Sequence, residues 1–312
     1  IQVNAFKKQL FESGDVYLPN PLSDYLGQII KRLREGASGA APEIKVYLTR
    51  YGSPNAFCLA DGSVFVNIGL FNVLDTESEL AFILAHELAH YDLQHNVRDF
   101  VKLNAIQKFE TKSAGSLYDK FRQLRLSRES EQEADSYALS MMNAGGFDPD
   151  AATGALNKMR FNSNEQILDY AALLSNEFYK LDTVLLSDMQ LEKIRRALTY
   201  SIQDKPDSQV DDLYETHPDL DKRIGSIREL QRNLPAAQIR QPLSKFEDHQ
   251  LISVFELCHN SLREQDPVNA IIYGARLLKQ FPENEFLISS LARALYSLSY
   301  YKELSRDELR IY

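Results

Sequence analysis

The stretch ELAFILAHELAHYDLQH, residues 79–95, places three polar side chains inside a segment that is otherwise apolar and helix-forming. Two of them, His86 and His90, are four residues apart and so lie on the same face of an α-helix, where their rings can converge on one metal ion. Two histidine nitrogens held in this way are typical of a zinc site. Glu87 is rotated toward the flank of that face, where its carboxylate can reach a water molecule beside the metal. The pattern therefore predicts a buried helix that carries a metal centre.

A zinc peptidase site needs a third protein ligand, and the segment SRESEQEADSYAL, residues 127–139, offers three acidic side chains on a predicted helix. Glu131 and Asp135 share a face, whereas Glu133 is turned by about 200° from Glu131 at 100° per residue. We therefore expect Glu131 to bind one zinc ion per chain with the two histidines, and Glu133 to be dispensable. Asp135 is expected to accept the free ring N–H of a ligand histidine. Arg128 lies on the same face and is expected to pair with one of the carboxylates.

Composition limits the partners that the chain can have. The 312 residues contain 44 acidic and 35 basic side chains, and a net charge of −9 gives no electrostatic basis for binding nucleic acid or an anionic membrane. The longest apolar run, LAFILA, is far shorter than the roughly 20 residues of a membrane span, so we expect none. Two cysteines, Cys58 and Cys258, make neither a disulfide framework nor a cysteine metal site. The chain begins at Ile1, so we expect that a signal peptide or lipid anchor has been removed.

Hydrophobic periodicity predicts an α+β fold that is mostly helical and contains a small sheet. The pattern indicates a helix that ends at Gly36, a strand in EIKVYLTR (residues 43–50), and two strands in NAFCLADGSVFVNIG (residues 55–69) joined at Asp61-Gly62. Thr76 and Glu79 have the spacing of a capping box, which predicts that the metal-binding helix begins near residue 76. From there to about residue 240 the sequence is mainly helical.

The chain divides into two predicted domains. Residues 1–240 form the catalytic domain, with residues 160–212 as a helical insert or lid, and residues 241–312 form a helical segment that is a candidate for binding a protein partner. This tail resembles little more than one tetratricopeptide repeat, through its small residues and a proline just past a helix end: Ala270, Ala292, Ala294 and Pro282. A helical hairpin that closes the domain is about as consistent with the pattern, since alanines at helical spacing usually reflect close packing.

The motif HELAH followed by RESEQEAD resembles the gluzincin family of zinc metallopeptidases that includes the CAAX prenyl endopeptidase, HtpX and the periplasmic BepA-type proteases. The resemblance extends to SPNAFCLADGSVFVNIGL, GGFDP and THPDLDKRI and so covers about residues 20 to 230. It implies a zincin-like fold in which Glu131 binds zinc and Asp135 supports it. Because the prenyl endopeptidase and HtpX types are membrane proteins, the chain is most similar to the exported branch that carries helical repeats. A periplasmic or otherwise exported location follows by analogy.

The predicted activity is that of a zinc endopeptidase. His86, His90 and Glu131 hold the zinc ion, which activates a water and polarises the scissile carbonyl, while Glu87 acts as the general base. An extended substrate is expected to add by backbone hydrogen bonds along one strand: Val64, Phe65, Val66 and Asn67. Such pairing selects conformation, so unfolded or misassembled proteins in envelope quality control are the expected substrates. The alternative is a latent or vestigial protease that acts as a chaperone-like scaffold through its helical tail.

His217 lies in ETHPDLDKRI, where Pro218 favours an extended backbone and offers the side chain from a loop. A fourth protein ligand would close the zinc site, and in the repeat-bearing branch the matching histidine is placed as such a switch. In other members the same region lines the cleft, where His217 or Arg223 could stabilise the oxyanion. We favour the latch, because the predicted insert at 160–212 is well placed to move it.

Overall fold

The computed structural model describes residues 2–35, 44–95, 128–161, 220–236 and 238–300, and these residues are mostly helical with one small sheet. The elements in chain order are α1 (Gln2–Glu12), α2 (Pro21–Leu33), β1 (Lys45–Thr49), β2 (Ala56–Cys58), β3 (Ser63–Asn67), α3 (Gly69–Val73), α4 (Glu77–Asp92), α5 (Arg128–Gly145), α6 (Ala151–Phe161), α7 (Leu220–Asn233), α8 (Phe246–Arg263), α9 (Pro267–Leu278) and α10 (Glu285–Tyr300). The described residues fall into two compact units that divide between residues 250 and 251. The predicted insert at 160–212 lies almost wholly outside the described residues.

The helix that carries the metal-binding motif begins where the sequence predicted, whereas α2 ends at Leu33, before the predicted end at Gly36. Asn20 caps α2 by accepting from the backbone N–H of Leu22 and Ser23, and the helix buries an apolar face. Thr76 caps α4 by accepting from the N–H of Glu79, although the Glu79 carboxylate accepts from Asp75 rather than from the cap itself. The α+β, mostly helical class is therefore confirmed. The first helix, α1, was not predicted.

The sheet has the strand order β1-β3-β2, so β3 is its central strand. β3 pairs in parallel with β1 and antiparallel with β2, and all five of its residues are buried. Phe65 packs against α1 on one face, while Val64 and Val66 point to the opposite face. The prediction that residues Val64, Phe65, Val66 and Asn67 form a free edge is wrong, because both sides of this strand are already hydrogen-bonded. Among the described residues, β2 pairs with β3 on one side only.

Helix α4 occupies the centre of the first unit. Every residue from Glu79 to His90 is buried, because α4 packs against α5 and α6 and also contacts β2 and α2. Helix α7 packs in turn against α5 and α6. A helix that is buried on all sides has no solvated face for polar groups, so its histidines and glutamate need partners inside the protein.

A buried ion pair holds the residues around the predicted domain boundary at 240 against the helices of the first unit. Arg32 donates to the carbonyls of Gly145, Gly146 and Gln241, and it pairs with Glu77 at the start of α4. Glu77 also accepts from the backbone N–H of Leu243. Residues 240–243 thus belong with the helices of the first unit, and the domain boundary at residue 240 remains a prediction.

The second unit contains the helical tail up to residue 300. Helices α9 and α10 pack around Ala270, Ile271, Leu291 and Ala294, and a neighbouring cluster includes Cys258 of α8. These contacts form a close-packed set of helices, and the tetratricopeptide character of the tail remains a prediction. Within the part of the chain that the structure describes, no helix has both the length and the apolar character that crossing a membrane requires.

Candidate metal centre

The candidate site is formed where α4 meets α5. Helix α4 presents His86 and His90, and α5 presents Glu131, which is one turn from Asp135. All four side chains are buried, with at most 4% of any residue exposed. Among the described residues, His86, His90 and Glu131 are the group whose ligand atoms are arranged to hold a metal ion, and these atoms lie within 4.8 Å of one another.

The distances between the ligand atoms fit a zinc ion. The Nε2 atoms of His86 and His90 are 2.9 Å apart, and carboxylate oxygens of Glu131 lie 3.5 Å from the first and 3.3 Å from the second. Ligand atoms that are bonded to tetrahedral zinc at 2.0–2.1 Å lie about 3.3 Å from one another. The three buried side chains therefore lie at about the spacing of zinc ligands, with Oε2 of Glu131 nearer to His86 and Oε1 nearer to His90.

The second ring nitrogen of His86 is held by Asp135. Nδ1 of His86 lies 2.9 Å from Asp135 Oδ1, as expected from the sequence. Burial and the Arg223 charge act to lower the pKa of His86, but hydrogen bonds to Asp135 and Glu131 outweigh them and raise it to about 9. The pocket thus favours a positive charge at His86, and a metal ion on Nε2 would supply that charge in place of a proton.

Arg223 reaches the site from α7 and contacts both carboxylates of α5. Its Nε and Nη2 donate to the two oxygens of Asp135 at 2.9 and 2.7 Å, and its Nη1 lies 2.8 Å from Glu131. Burial raises the pKa of Asp135, but the neighbouring guanidinium outweighs it and holds the pKa below its ordinary value. The structure therefore gives Arg223 a contact that the sequence did not reveal, namely with the acidic pair beside the histidines. Its role as an oxyanion donor remains a prediction.

Glu87 lines a narrow cleft next to His86. The cleft is also lined by Asn55 and Ala56 at β2 and by Arg223. It encloses about 20 Å³, which is enough for one water molecule. Glu87 is 5% exposed, so its carboxylate lies in a largely dry environment beside the candidate ligands.

His95 is a site residue whose importance the sequence did not reveal. A continuous helix would carry it off the face of His86, so its position in the sequence alone predicts a helix-end residue rather than a ligand. In the structure it is fully buried, and its Nδ1 lies 2.9 Å from Nδ1 of His90. Its Nε2 lies 3.1 Å from the carboxylate of Glu133. The signal that could have found it is a third histidine directly after the helix.

Two of the predicted site residues cannot be placed. His217 lies outside the described residues. Arg128 begins α5, but its side chain is also outside the described part of the chain, so its pairing with a carboxylate remains a prediction.

Comparison with known proteins agrees with this geometry. Residues 22–231 match Peptidase family M48. The chain is 31% identical over 169 residues to the mitochondrial metalloendopeptidase OMA1 of Schizosaccharomyces pombe, covering 50% of each chain. It is 25% identical over 174 residues to the beta-barrel assembly-enhancing protease of Yersinia pestis, covering 49% of this chain and 36% of the relative. Over 199 residues it is 26% identical to OMA1 of Saccharomyces cerevisiae, covering 57% and 56%. The chain thus spans between about a third and somewhat over half of the length of these relatives.

A histidine pair on a buried helix, a glutamate on the helix packed against it and a second glutamate beside the first histidine together form a candidate metal centre. Because the family match covers more than half of the chain, the protein belongs to Peptidase family M48.

Proposed function

We propose that the protein is a zinc-dependent endopeptidase in which His86, His90 and Glu131 hold the metal and Glu87 is the general base. The observation that carries this proposal is the buried group of three side chains, in which the two histidine Nε2 atoms are 2.9 Å apart and lie 3.5 and 3.3 Å from the two carboxylate oxygens of Glu131, on a chain of a peptidase family. When bound, zinc supplies a Lewis acid that polarises the scissile carbonyl and activates a water for attack.

Glu87 moves the proton in this reaction. Its buried carboxylate lines the cleft that has room for one water, beside the ring of His86. The carboxylate accepts the proton that the attacking water loses and then donates it to the nitrogen of the leaving amine. Since the cleft is small and largely apolar, it excludes bulk water that would otherwise compete for that proton.

Arg223 keeps the acidic side of the site in place. It binds both oxygens of Asp135, and Asp135 in turn orients the ring of His86. The same guanidinium contacts Glu131, so one buried cation pairs with two buried carboxylates. A lysine could not make this set of contacts, because it lacks the planar fork of donors.

The substrate adds to β2 rather than to β3. Asn55 accepts from Asn67, and Leu59 donates to Ser63, so alternate residues of this strand point their backbone groups to β3. The backbone of Ala56 therefore points away from β3, at the rim of the cleft that contains Glu87. An extended peptide paired here lies beside the proposed base.

Unfolded or misassembled polypeptides are the substrate class that such pairing favours. Addition to a strand edge requires an extended peptide, which a folded protein rarely presents. A role in quality control of the cell envelope and an exported location belong to the same proposal, and one relative is named as a beta-barrel assembly-enhancing protease. The OMA1 relatives are named as mitochondrial, so similarity alone leaves the compartment open. The tetratricopeptide-like tail would bind a protein partner.

A vestigial protease that acts only as a scaffold is not favoured, because the described site has both the candidate metal ligands and the candidate base.

Removal of the metal tests the proposed function. We expect the chain as purified to degrade an unfolded protein such as β-casein, and to lose this activity when a chelator removes zinc. Adding about one equivalent of zinc should restore hydrolysis, because the three protein ligands are complete without metal. A folded protein of similar size, incubated in parallel, should remain intact. Full activity in a preparation shown to be metal-free would contradict the proposal.

His217 is proposed to be a latch that occupies the fourth position of the zinc site. We expect His217→Ala to increase casein hydrolysis several-fold at unchanged zinc content, since removing a fourth protein ligand opens the site. His217→Asn is a second variant of similar polarity. A fall in turnover at full zinc occupancy would favour the oxyanion role instead, and unchanged activity in both variants would exclude the two roles.

A further inference from the structure

A chain of hydrogen-bonded side chains leads from His90 to the surface of the protein. Nδ1 of His90 lies 2.9 Å from Nδ1 of His95, and Nε2 of His95 lies 3.1 Å from Oε2 of Glu133. The two histidines are buried, whereas 56% of the Glu133 side chain is exposed. This series of hydrogen bonds therefore joins a candidate zinc ligand, His90, to a solvated carboxylate, that of Glu133.

The backbone after α4 is shaped to bring His95 to this position. The helix ends at Asp92 with Leu93 as its C-cap, and Gln94 has φ 57°, which is the left-handed region that residues other than glycine rarely adopt. This turn folds His95 back toward His90 instead of carrying it onward along the helix. A non-glycine residue is strained in this conformation, so the surrounding contacts must stabilise it.

The contacts determine which atom is the donor and which is the acceptor in each hydrogen bond between His90, His95 and Glu133. A carboxylate only accepts, so Glu133 selects the tautomer of His95 that carries its proton on Nε2. Nδ1 of His95 is then an acceptor, and Nδ1 of His90 must be the donor. The proton of His90 therefore lies on Nδ1, which leaves the lone pair of Nε2 directed at His86 and Glu131.

We propose that His95 and Glu133 are positioning residues that fix the tautomer and ring orientation of His90 for metal binding. The inference rests on the proposed zinc site. The two ligand histidines would then be oriented by carboxylates of the same helix, α5, in two different ways. Asp135 holds His86 directly at 2.9 Å, and Glu133 holds His90 through the ring of His95. Glu133, expected from its helical position to be dispensable, thus acquires a role.

The proposal predicts that the charge at residue 133 controls zinc affinity. We expect Glu133→Lys to weaken zinc binding about 10- to 100-fold, which is the typical cost of losing a residue that orients a metal ligand. A lysine would donate to Nε2 of His95, so that Nδ1 of His95 becomes the donor and the proton of His90 moves to Nε2, the atom proposed to bind zinc. Glu133→Gln should have a smaller effect, since its amide oxygen can still accept. The matched controls are Glu129→Lys and Glu129→Gln, which make the same charge changes at an exposed residue of α5 and should bind zinc within about twofold of the wild type.

Zinc affinity is measured by competition with a chelator, and thermal unfolding of each variant is measured beside it. In the zinc-loaded wild type, long-range ¹H–¹⁵N NMR should show the His90 proton on Nδ1 and the His95 proton on Nε2. Equal zinc affinity in the Glu133 and Glu129 variants would overturn the proposal, as would an effect on thermal stability alone. If the wild type itself binds no zinc, the proposed function fails instead.

Discussion

Glu131→Gln is expected to lose zinc and peptide hydrolysis together. The carboxylate of Glu131 lies 3.5 and 3.3 Å from the two histidine nitrogens, and a neutral amide is a poor zinc ligand at that corner. The change also removes one of the carboxylates that pair with the buried guanidinium of Arg223. We therefore expect near-zero zinc after dialysis and hydrolysis at background.

The matched control for this prediction is Glu129→Gln, which makes the same change two residues earlier on the exposed side of α5. It should keep one zinc per chain and full hydrolysis of casein. Metal analysis and the casein assay measure both outcomes, and circular dichroism checks that each variant is folded. Full zinc content in Glu131→Gln would show that the third ligand lies elsewhere.

Glu87→Gln is expected to keep its zinc and to lose hydrolysis by a factor of about 10² to 10⁴, the usual contribution of a general base. Glutamine has nearly the same shape but cannot take a proton from water. Because Glu87 lines the cleft without belonging to the group of three candidate ligands, metal content should be unchanged. Metal analysis and initial rates on the same sample separate the two effects. Hydrolysis equal to that of the wild type would remove Glu87 from the mechanism.

Much of the site could be predicted from the sequence because it is built on helices. A spacing of four residues fixes two side chains on one face, which brought His86 beside His90 and placed Glu131 and Asp135 on the same side of α5. The rotation of Glu133 away from Glu131 was also predicted, and the exposure of its side chain agrees with it. Helical spacing was sufficient to predict which side chains lie together wherever the helix remained regular.

The remaining features depend on contacts between segments that are distant in sequence. Strand order is such a feature, and β3 was assigned to an edge although it is central. The run VFVNIG, without a polar residue at every second position, is a signal of burial on both faces that could have indicated this. His95 was placed off the site because a helical projection assumes that the helix continues, whereas the chain turns at Gln94. No spacing rule could bring Arg223 of α7 to Asp135.

The central claim is that His86, His90 and Glu131 together hold a catalytic zinc ion. Anomalous X-ray diffraction from crystals of the zinc-loaded protein, measured on both sides of the zinc absorption edge, locates the metal directly. The account predicts one strong peak per chain, about 2.0–2.2 Å from Nε2 of both histidines and from a carboxylate oxygen of Glu131. A zinc peak at other residues, or no peak at this site in crystals of fully zinc-loaded protein, would contradict it.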